Sequence, residues 1–141
     1  MQTEPTMLVV EDDEGHLYLL TQQLKRIGIT WPMRRFSDGQ QAVDFFAREF
    51  AQMPTSPMVL LLDLRLPKVD GTAILARIRS SQSPALQQLP TIIITSSCNP
   101  DDRNECERLG CNAYLTKPFS LGELRSAIQQ ALPGSIVGIP V

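Results

Sequence analysis

Apolar runs and periodic apolar faces alternate along the chain, and their order predicts its elements. Met7-Leu8-Val9-Val10 is a short continuous apolar run, as expected of a strand. Leu17, Leu20, Leu24 and Ile27 then recur at three- and four-residue steps, which predicts an amphipathic helix that Gly28 ends. Ile29 to Phe36 predicts a second strand, weakened by Pro32 and two arginines. After a Ser37-Asp38-Gly39 turn, Ala42, Val43, Phe45, Phe46 and Phe50 mark a second helical face. Met53 to Pro57 reads as a loop, and Met58 to Leu62 as a strand that runs directly into Asp63. Pro67 and Asp70-Gly71 make the next loop, and Ile74, Leu75 and Ile78 mark a third helix.

Ser80 to Leu89 reads as a polar loop around Pro84. Pro90 to Thr95 is apolar and β-branched, a fourth strand ending in hydroxyls at Thr95, Ser96 and Ser97. Asn99-Pro100-Asp101-Asp102 has the N-cap, the first-turn proline and the acidic residues of a helix start, and Gly110 closes that helix. Ala113 to Thr116 predicts a fifth strand, followed by Lys117-Pro118-Phe119. Ser120-Leu121-Gly122-Glu123 is a capping box, and Leu121, Leu124, Ile128 and Leu132 share one face before Pro133-Gly134 stops the helix.

Five strands alternating with five helices imply right-handed crossovers and a parallel sheet covered on both faces, a doubly wound α/β fold. The run Val59 to Leu62 fits such a sheet, where strands are buried on both sides. The expected layout is a disordered lead-in at 1–6, one domain at 7–132 and a tail at 133–141. The tail holds Ile136, Val137, Ile139 and Val141, and reads as disordered in preference to an apolar partner surface.

Composition narrows the function classes. The chain has 141 residues, 43% hydrophobic and 20% charged, enough for one ordinary core. A net charge of −2 gives no basic footprint for nucleic acid. No apolar stretch approaches the ~20 residues of a membrane helix, and the N-terminus has no basic region of a signal peptide. Cys98, Cys106 and Cys111 are odd in number and form no C-x-x-C. They favour a reducing cytoplasm over a disulfide framework, and read as small buried or half-buried side chains.

Chemistry gathers just beyond the strands: Glu11, Asp12 and Asp13 after the first, Asp63 after the third, Thr95 and Ser96 at the fourth, Lys117 after the fifth. Parallel strands bring these tips to one edge of the sheet, where open α/β folds bind ligands. Clustered carboxylates repel unless a cation compensates them, and oxygen-only ligands suit Mg²⁺. Mg²⁺ in turn favours a phosphate-bearing ligand, for which Thr95 and Lys117 supply a hydroxyl and a positive charge. No Gly-rich phosphate loop occurs. A covalent aspartyl-phosphate on Asp63 is therefore one reading, and a carboxylate capping backbone N–H groups is the other.

Taken together, Glu11-Asp12, Asp63 with Pro67 and Gly71, Thr95, Tyr114 and Lys117-Pro118-Phe119 resemble the receiver domain of two-component response regulators over residues 7 to 132. The resemblance implies a flavodoxin-like (βα)5 fold with strand order 2-1-3-4-5. It implies that Asp63 accepts a phosphoryl group from a histidine kinase, that Mg²⁺ is held by Glu11, Asp12, Asp63 and the backbone carbonyl of Arg65, and that Thr95 and Lys117 bind the phosphoryl oxygens. It implies a cis Lys117-Pro118 peptide. Tyr114 is implied as the aromatic that switches with Thr95, remodelling the face of the fourth helix, fifth strand and fifth helix. Arg65 and Ser97 stand two residues beyond Asp63 and Thr95, where the family tunes phosphoryl lifetime. Arg65 either screens the site, pairs with a carboxylate or is simply solvated. Asp13 reads as a helix-start residue, and His16, the one histidine, as a half-exposed helix residue and not a phosphodonor.

With no output module after residue 132, the expectation is a stand-alone receiver of the kind that pairs with bacterial phytochromes or other hybrid sensor kinases. Its output would be a protein target or phosphotransfer protein, with a homodimer through the switching face as a further expectation, and no direct nucleic acid or membrane partner. It is expected to be no enzyme beyond self-catalysed phosphorylation and dephosphorylation. One alternative is a pseudo-receiver, a phosphorylation-independent interaction module. Another, a metal-dependent phosphatase with an aspartyl nucleophile, calls for a second Asp where Arg65 stands.

Overall fold

The computed structural model describes residues 4–53 and 57–134. Five strands, β1 (Thr6–Val10), β2 (Met33–Phe36), β3 (Met58–Leu62), β4 (Thr91–Thr95) and β5 (Ala113–Thr116), form one parallel sheet in the order β2-β1-β3-β4-β5. The helices are α1 (Glu14–Arg26), α2 (Gly39–Arg48), α3 (Gly71–Arg79), α4 (Pro84–Gln87), α5 (Pro100–Leu109) and α6 (Leu121–Ala131). The expected flavodoxin-like order is the one observed. Strand β1 begins at Thr6, one residue inside the expected lead-in. The apolar tail residues Ile136, Val137, Ile139 and Val141 lie outside the described residues.

The continuous apolar runs follow from two cores. Met7 and Val9 of β1 and Val59 and Leu61 of β3 face one side, with Leu20 and Leu24 of α1 and Leu124 and Ile128 of α6. Leu8, Val10, Leu60 and Leu62 face the other, with Phe45 of α2, Ile74 and Leu75 of α3 and Cys106 of α5. Alternate side chains enter opposite cores, so after their first residues, Thr6 and Met58, every position of these two strands is buried and apolar. Phe36, Phe45, Phe46 and Phe50 close the second core at the β2 edge, with ring centroids 5.0–6.3 Å apart in successive pairs.

Two departures from the sequence expectations have local causes. The stretch 80–89 is no plain loop: Ser83 caps α4, a single turn with Pro84 in its first turn, so the described residues form six α-helices. Four residues are too few to show a helical period. Strand β2 is shorter than Ile29 to Phe36, because Pro32 lacks a donor and only Met33 to Phe36 pair with β1.

Arg79, at the end of α3, ties this corner together. Its guanidinium donates to the carbonyls of Gln87, Leu89 and Gly110 and to Asn112 Oδ1, at 2.9–3.2 Å. Asn112 Oδ1 also accepts from the Thr91 N–H at 2.8 Å, which fixes the start of β4.

Candidate functional site

Ladder bonds continue one residue past the strands and set the tips. Glu11 N–H donates to the Phe36 carbonyl, Asp63 N–H to that of Val10, and Lys117 N–H to that of Thr95. Arg35 of β2 adds a clasp, donating from Nε to the Glu11 carbonyl at 2.9 Å and from its Nη2 to that of Asp12 at 3.3 Å. That is the use of an arginine interrupting an otherwise apolar strand. The Lys117-Pro118 peptide is cis.

The side chains then converge. Glu11, Asp63 and Thr95 are buried. Lys117 Nζ lies 2.6 Å from Glu11 Oε1 and 3.0 Å from Asp63 Oδ2. Glu11, Asp63 and Lys117 line a cleft of about 590 Å³ with His16, Ser96, Pro118 and Phe119. Burial pushes the Glu11 carboxyl above its usual range, against the hydrogen bond from Lys117; the charge of Asp63 raises it further. Burial pulls the Lys117 ammonium down, but its bonds to Glu11 and Asp63 outweigh this and hold it above the ordinary lysine value. One ammonium thus holds two carboxylates together, where the sequence leads to the expectation of a divalent cation as their counter-charge.

The loop after β3 is shaped by one glycine. Gly71 N–H donates to the Leu64 carbonyl at 2.9 Å, and Asp70 caps α3 by accepting from Ala73 N–H. A Cβ on Gly71 would stand 2.1 Å from the Asp63 carbonyl oxygen and 2.8 Å from Leu64 Cα. Backbone cannot yield as a flexible side chain can. Gly71→Ala is therefore expected to destabilise the fold by about 3 kcal/mol, the upper end of overpacking costs, seen as a lower urea midpoint.

Arg65 pairs with a carboxylate. Its Nη2 donates to Asp102 Oδ2 at 2.7 Å, and the Ser97 hydroxyl donates to the same oxygen. Arg65 N–H donates to Asp63 Oδ1 at 3.2 Å, and Ser97 N–H donates to Thr95 Oγ1 at 3.2 Å. Asp102, in the first turn of α5, therefore connects the residues following Asp63 and Thr95. Arg65 remains largely exposed, so this surface pair adds little stability.

Tyr114 of β5 packs against the second core with its hydroxyl buried and without a hydrogen-bond partner, while the Arg103 guanidinium lies 5.3 Å above its ring. Burial pushes the phenol up to about 12. An unpaired buried hydroxyl costs roughly 1–3 kcal/mol. Tyr114→Phe is accordingly expected to raise stability by about 1 kcal/mol in chemical denaturation, where a strand tyrosine with a bonded hydroxyl would lose stability.

Some expectations meet a different geometry. Asp13 caps α1, accepting from the His16 N–H at 2.8 Å, as a helix-start residue should. Asp12 is exposed, and its carboxylate is not among the ligand atoms that converge; those belong to Glu11, Asp63 and His16. His16 is half-exposed as expected, but its Nδ1 lies 3.0 Å from Lys117 Nζ. Cys106 is buried and Cys111 partly so, but Cys98 is exposed, in the loop before α5. Asp102 had only a helix-start signature; its link to Arg65 spans 37 positions and leaves no local pattern.

The family model of the response regulator receiver domain matches residues 7–129. The chain is 36% identical over 125 residues to the response regulator Rcp1 of Synechocystis sp., covering 87% of this chain and 83% of that protein. Its fold superposes on the bacteriophytochrome response regulator RtBRR with a TM-score of 0.77 and 34% identity, covering 96% of this chain and 88% of that one. It also superposes on the Mn²⁺-bound form of Rcp1, with a TM-score of 0.73 and 32% identity over 97% and 99% of the two chains.

Proposed function

The chain belongs to the response regulator receiver family, and on that footing we propose that it accepts a phosphoryl group on Asp63 from a histidine kinase and signals through the face built by α5, β5 and α6. The observation that carries this reading is the Lys117 ammonium bridging Asp63 and Glu11 in a buried cleft at the strand ends. A carboxylate that merely capped a loop would have no need of a lysine and a second acid.

Each residue has a defined task. Asp63 is the nucleophile: its carboxylate oxygen bonds to phosphorus as the bond from phosphorus to the kinase imidazole breaks. Thr95 Oγ1 accepts from Ser97 N–H and keeps its own proton to donate to a phosphoryl oxygen. Lys117 exchanges part of its contact with Asp63 for a phosphoryl oxygen. Glu11, Asp12, Asp63 and the backbone carbonyl of Arg65 are the groups that would hold Mg²⁺, and the oxygen donors of buried Glu11 and Asp63 fit a hard cation. The ion supplies charge neutralisation for the approaching phosphoryl group.

The output follows from Thr95. Once its hydroxyl turns to the phosphoryl group, Tyr114 follows and trades a buried, unpaired hydroxyl for a partner. Arg65 and Ser97 tune phosphoryl lifetime through Asp102, which ties the loop after β3 to the first turn of α5. The likeness to a bacteriophytochrome response regulator supports a phytochrome-type or other hybrid kinase as donor. The receiver then acts in the cytoplasm on a protein target or phosphotransfer protein, or on a second copy through the switching face. No helix among the described residues is long and apolar enough to cross a membrane.

Incubation with Mg²⁺ and a small phosphodonor tests the central claim. A mass increase of one phosphoryl group is expected, dependent on the divalent ion, and none at all would overturn it. Sedimentation before and after phosphorylation tests the homodimer; a monomer in both states removes it.

A further inference from the structure

His16 reaches the site from the first turn of α1 and has no task in the phosphoryl transfer proposed above. Its Nδ1 lies 3.0 Å from Lys117 Nζ and 3.9 Å from Glu11 Oε1. An ammonium only donates, so Nδ1 is the nitrogen without a proton, and its lone pair points at the positive charge. The same ammonium takes Glu11 Oε1 at 2.6 Å and Asp63 Oδ2 at 3.0 Å. One nitrogen and two carboxylate oxygens thus surround a single cation, and the ligand atoms lie within 4.8 Å of one another. Lys117 Nζ occupies the place of an ion held by a mixed nitrogen and oxygen set.

Such a set discriminates between ions. Mg²⁺ takes oxygen and keeps its waters, whereas imidazole suits Zn²⁺, Ni²⁺ and Fe²⁺. Tetrahedral Zn²⁺ wants its ligand atoms roughly 3.3 Å apart, from bond lengths of about 2.0 Å. The Glu11–His16 pair is already at 3.9 Å, and His16 is half-exposed, free to close the difference by a small side-chain rotation.

We propose that Glu11, Asp63 and His16 form a binding site for an imidazole-accepting transition ion of the Zn²⁺ kind, which competes with Mg²⁺ for the same carboxylates. This rests on the reading that these carboxylates hold a divalent cation. His16 is the ligand that sets the preference, and Lys117 is the group the ion displaces.

One histidine in 141 residues makes the test direct. In untagged, ¹⁵N-labelled protein, long-range ¹H–¹⁵N spectra show a single imidazole. Zn²⁺ titrated in the presence of excess Mg²⁺ is expected to move its Nδ1 resonance to the metal-bound position with one equivalent bound. In His16→Ala the ratio of Zn²⁺ to Mg²⁺ affinity is expected to fall about tenfold or more, judged from the smallest effects seen when groups supporting a metal are removed. Glu11→Gln and Asp63→Asn should each weaken the Nδ1 shift, because each removes a carboxylate ligand. An Nδ1 resonance unmoved at saturating Zn²⁺ overturns the proposal. So does a shift of the same affinity in both carboxylate variants, which would mean an adventitious ion only, on an exposed imidazole. Phosphorylation of the unaltered chain with Mg²⁺ alone reads the receiver assignment separately, so either can fail without the other.

Discussion

Asp63→Asn is expected to abolish phosphoryl acceptance while leaving the fold intact. The carboxamide matches the carboxylate in shape but offers no anionic oxygen to bond to phosphorus. It also rearranges the local bonds. Asp63 Oδ1 accepts from Arg65 N–H and Oδ2 accepts from Lys117. An amide has one oxygen, so if it serves Arg65 its N–H₂ faces the Lys117 ammonium at 3.0 Å, donor against donor. One bond is lost, but so is the charge that pushes the Glu11 carboxyl up. The two effects oppose, and stability is expected to stay within about 1 kcal/mol of the unaltered protein, the usual worth of one hydrogen bond. Intact mass after treatment with Mg²⁺ and a small phosphodonor, together with a urea titration, reads both. A phosphoryl group still carried by the variant would move the acceptor elsewhere.

The sheet and its chemical edge were legible because both are written in short stretches. Each of β1, β3 and β4 is an apolar run that stops at a polar residue, and parallel order puts the stops together. Two capping residues were equally plain, Asn99 and Ser120, because each acts within three residues of itself; Asp38 and Asp70, read only as turn residues, cap α2 and α3 over the same short span. What stayed hidden is long-range. Arg79 joins the end of α3 to Gly110 and Asn112, Arg65 finds Asp102 across 37 positions, and His16 finds Lys117 across 101. None has a periodicity to announce it, because a long side chain needs only one contact at its tip. His16 carried a weak hint, since it lies five residues after Glu11 at the start of a helix, near the strand tips. Asp12 shows the converse: its neighbour Glu11 turns into the cleft while it remains exposed, a distinction adjacent acids cannot reveal in sequence.

Lys117→Met is expected to cost the most. It removes the only cation that touches both Glu11 and Asp63 among the described residues and leaves two buried carboxylates facing each other. Removing one partner of a buried ion pair costs about 3–5 kcal/mol. The loss depends on pH, with a sign fixed by the two shifts. Glu11 is raised in the folded state, so its ionisation costs stability as pH rises from the ordinary glutamate range through its raised value. Lys117 lowers the Glu11 value by hydrogen bond and by charge; without it the carboxyl rises further and the window of loss widens. The variant should therefore come nearest the unaltered protein near pH 4, where the raised Glu11 carboxyl holds its proton, and fall behind steadily toward neutrality. Lys117 itself is raised, so in the unaltered protein its contribution is complete below the ordinary lysine value of about 10.4 and fades only as pH rises through its higher folded value. Urea titrations from pH 4 to pH 8 separate these cases, and a deficit independent of pH would point to lost packing in place of lost charge. Phosphoryl acceptance should fall with stability at neutral pH. Affinity for divalent cations should rise, because the ammonium no longer competes for Glu11 and Asp63. A variant that bound metal more tightly yet could not take a phosphoryl group would separate the two jobs of that corner, gathering the acids and holding the phosphoryl oxygen.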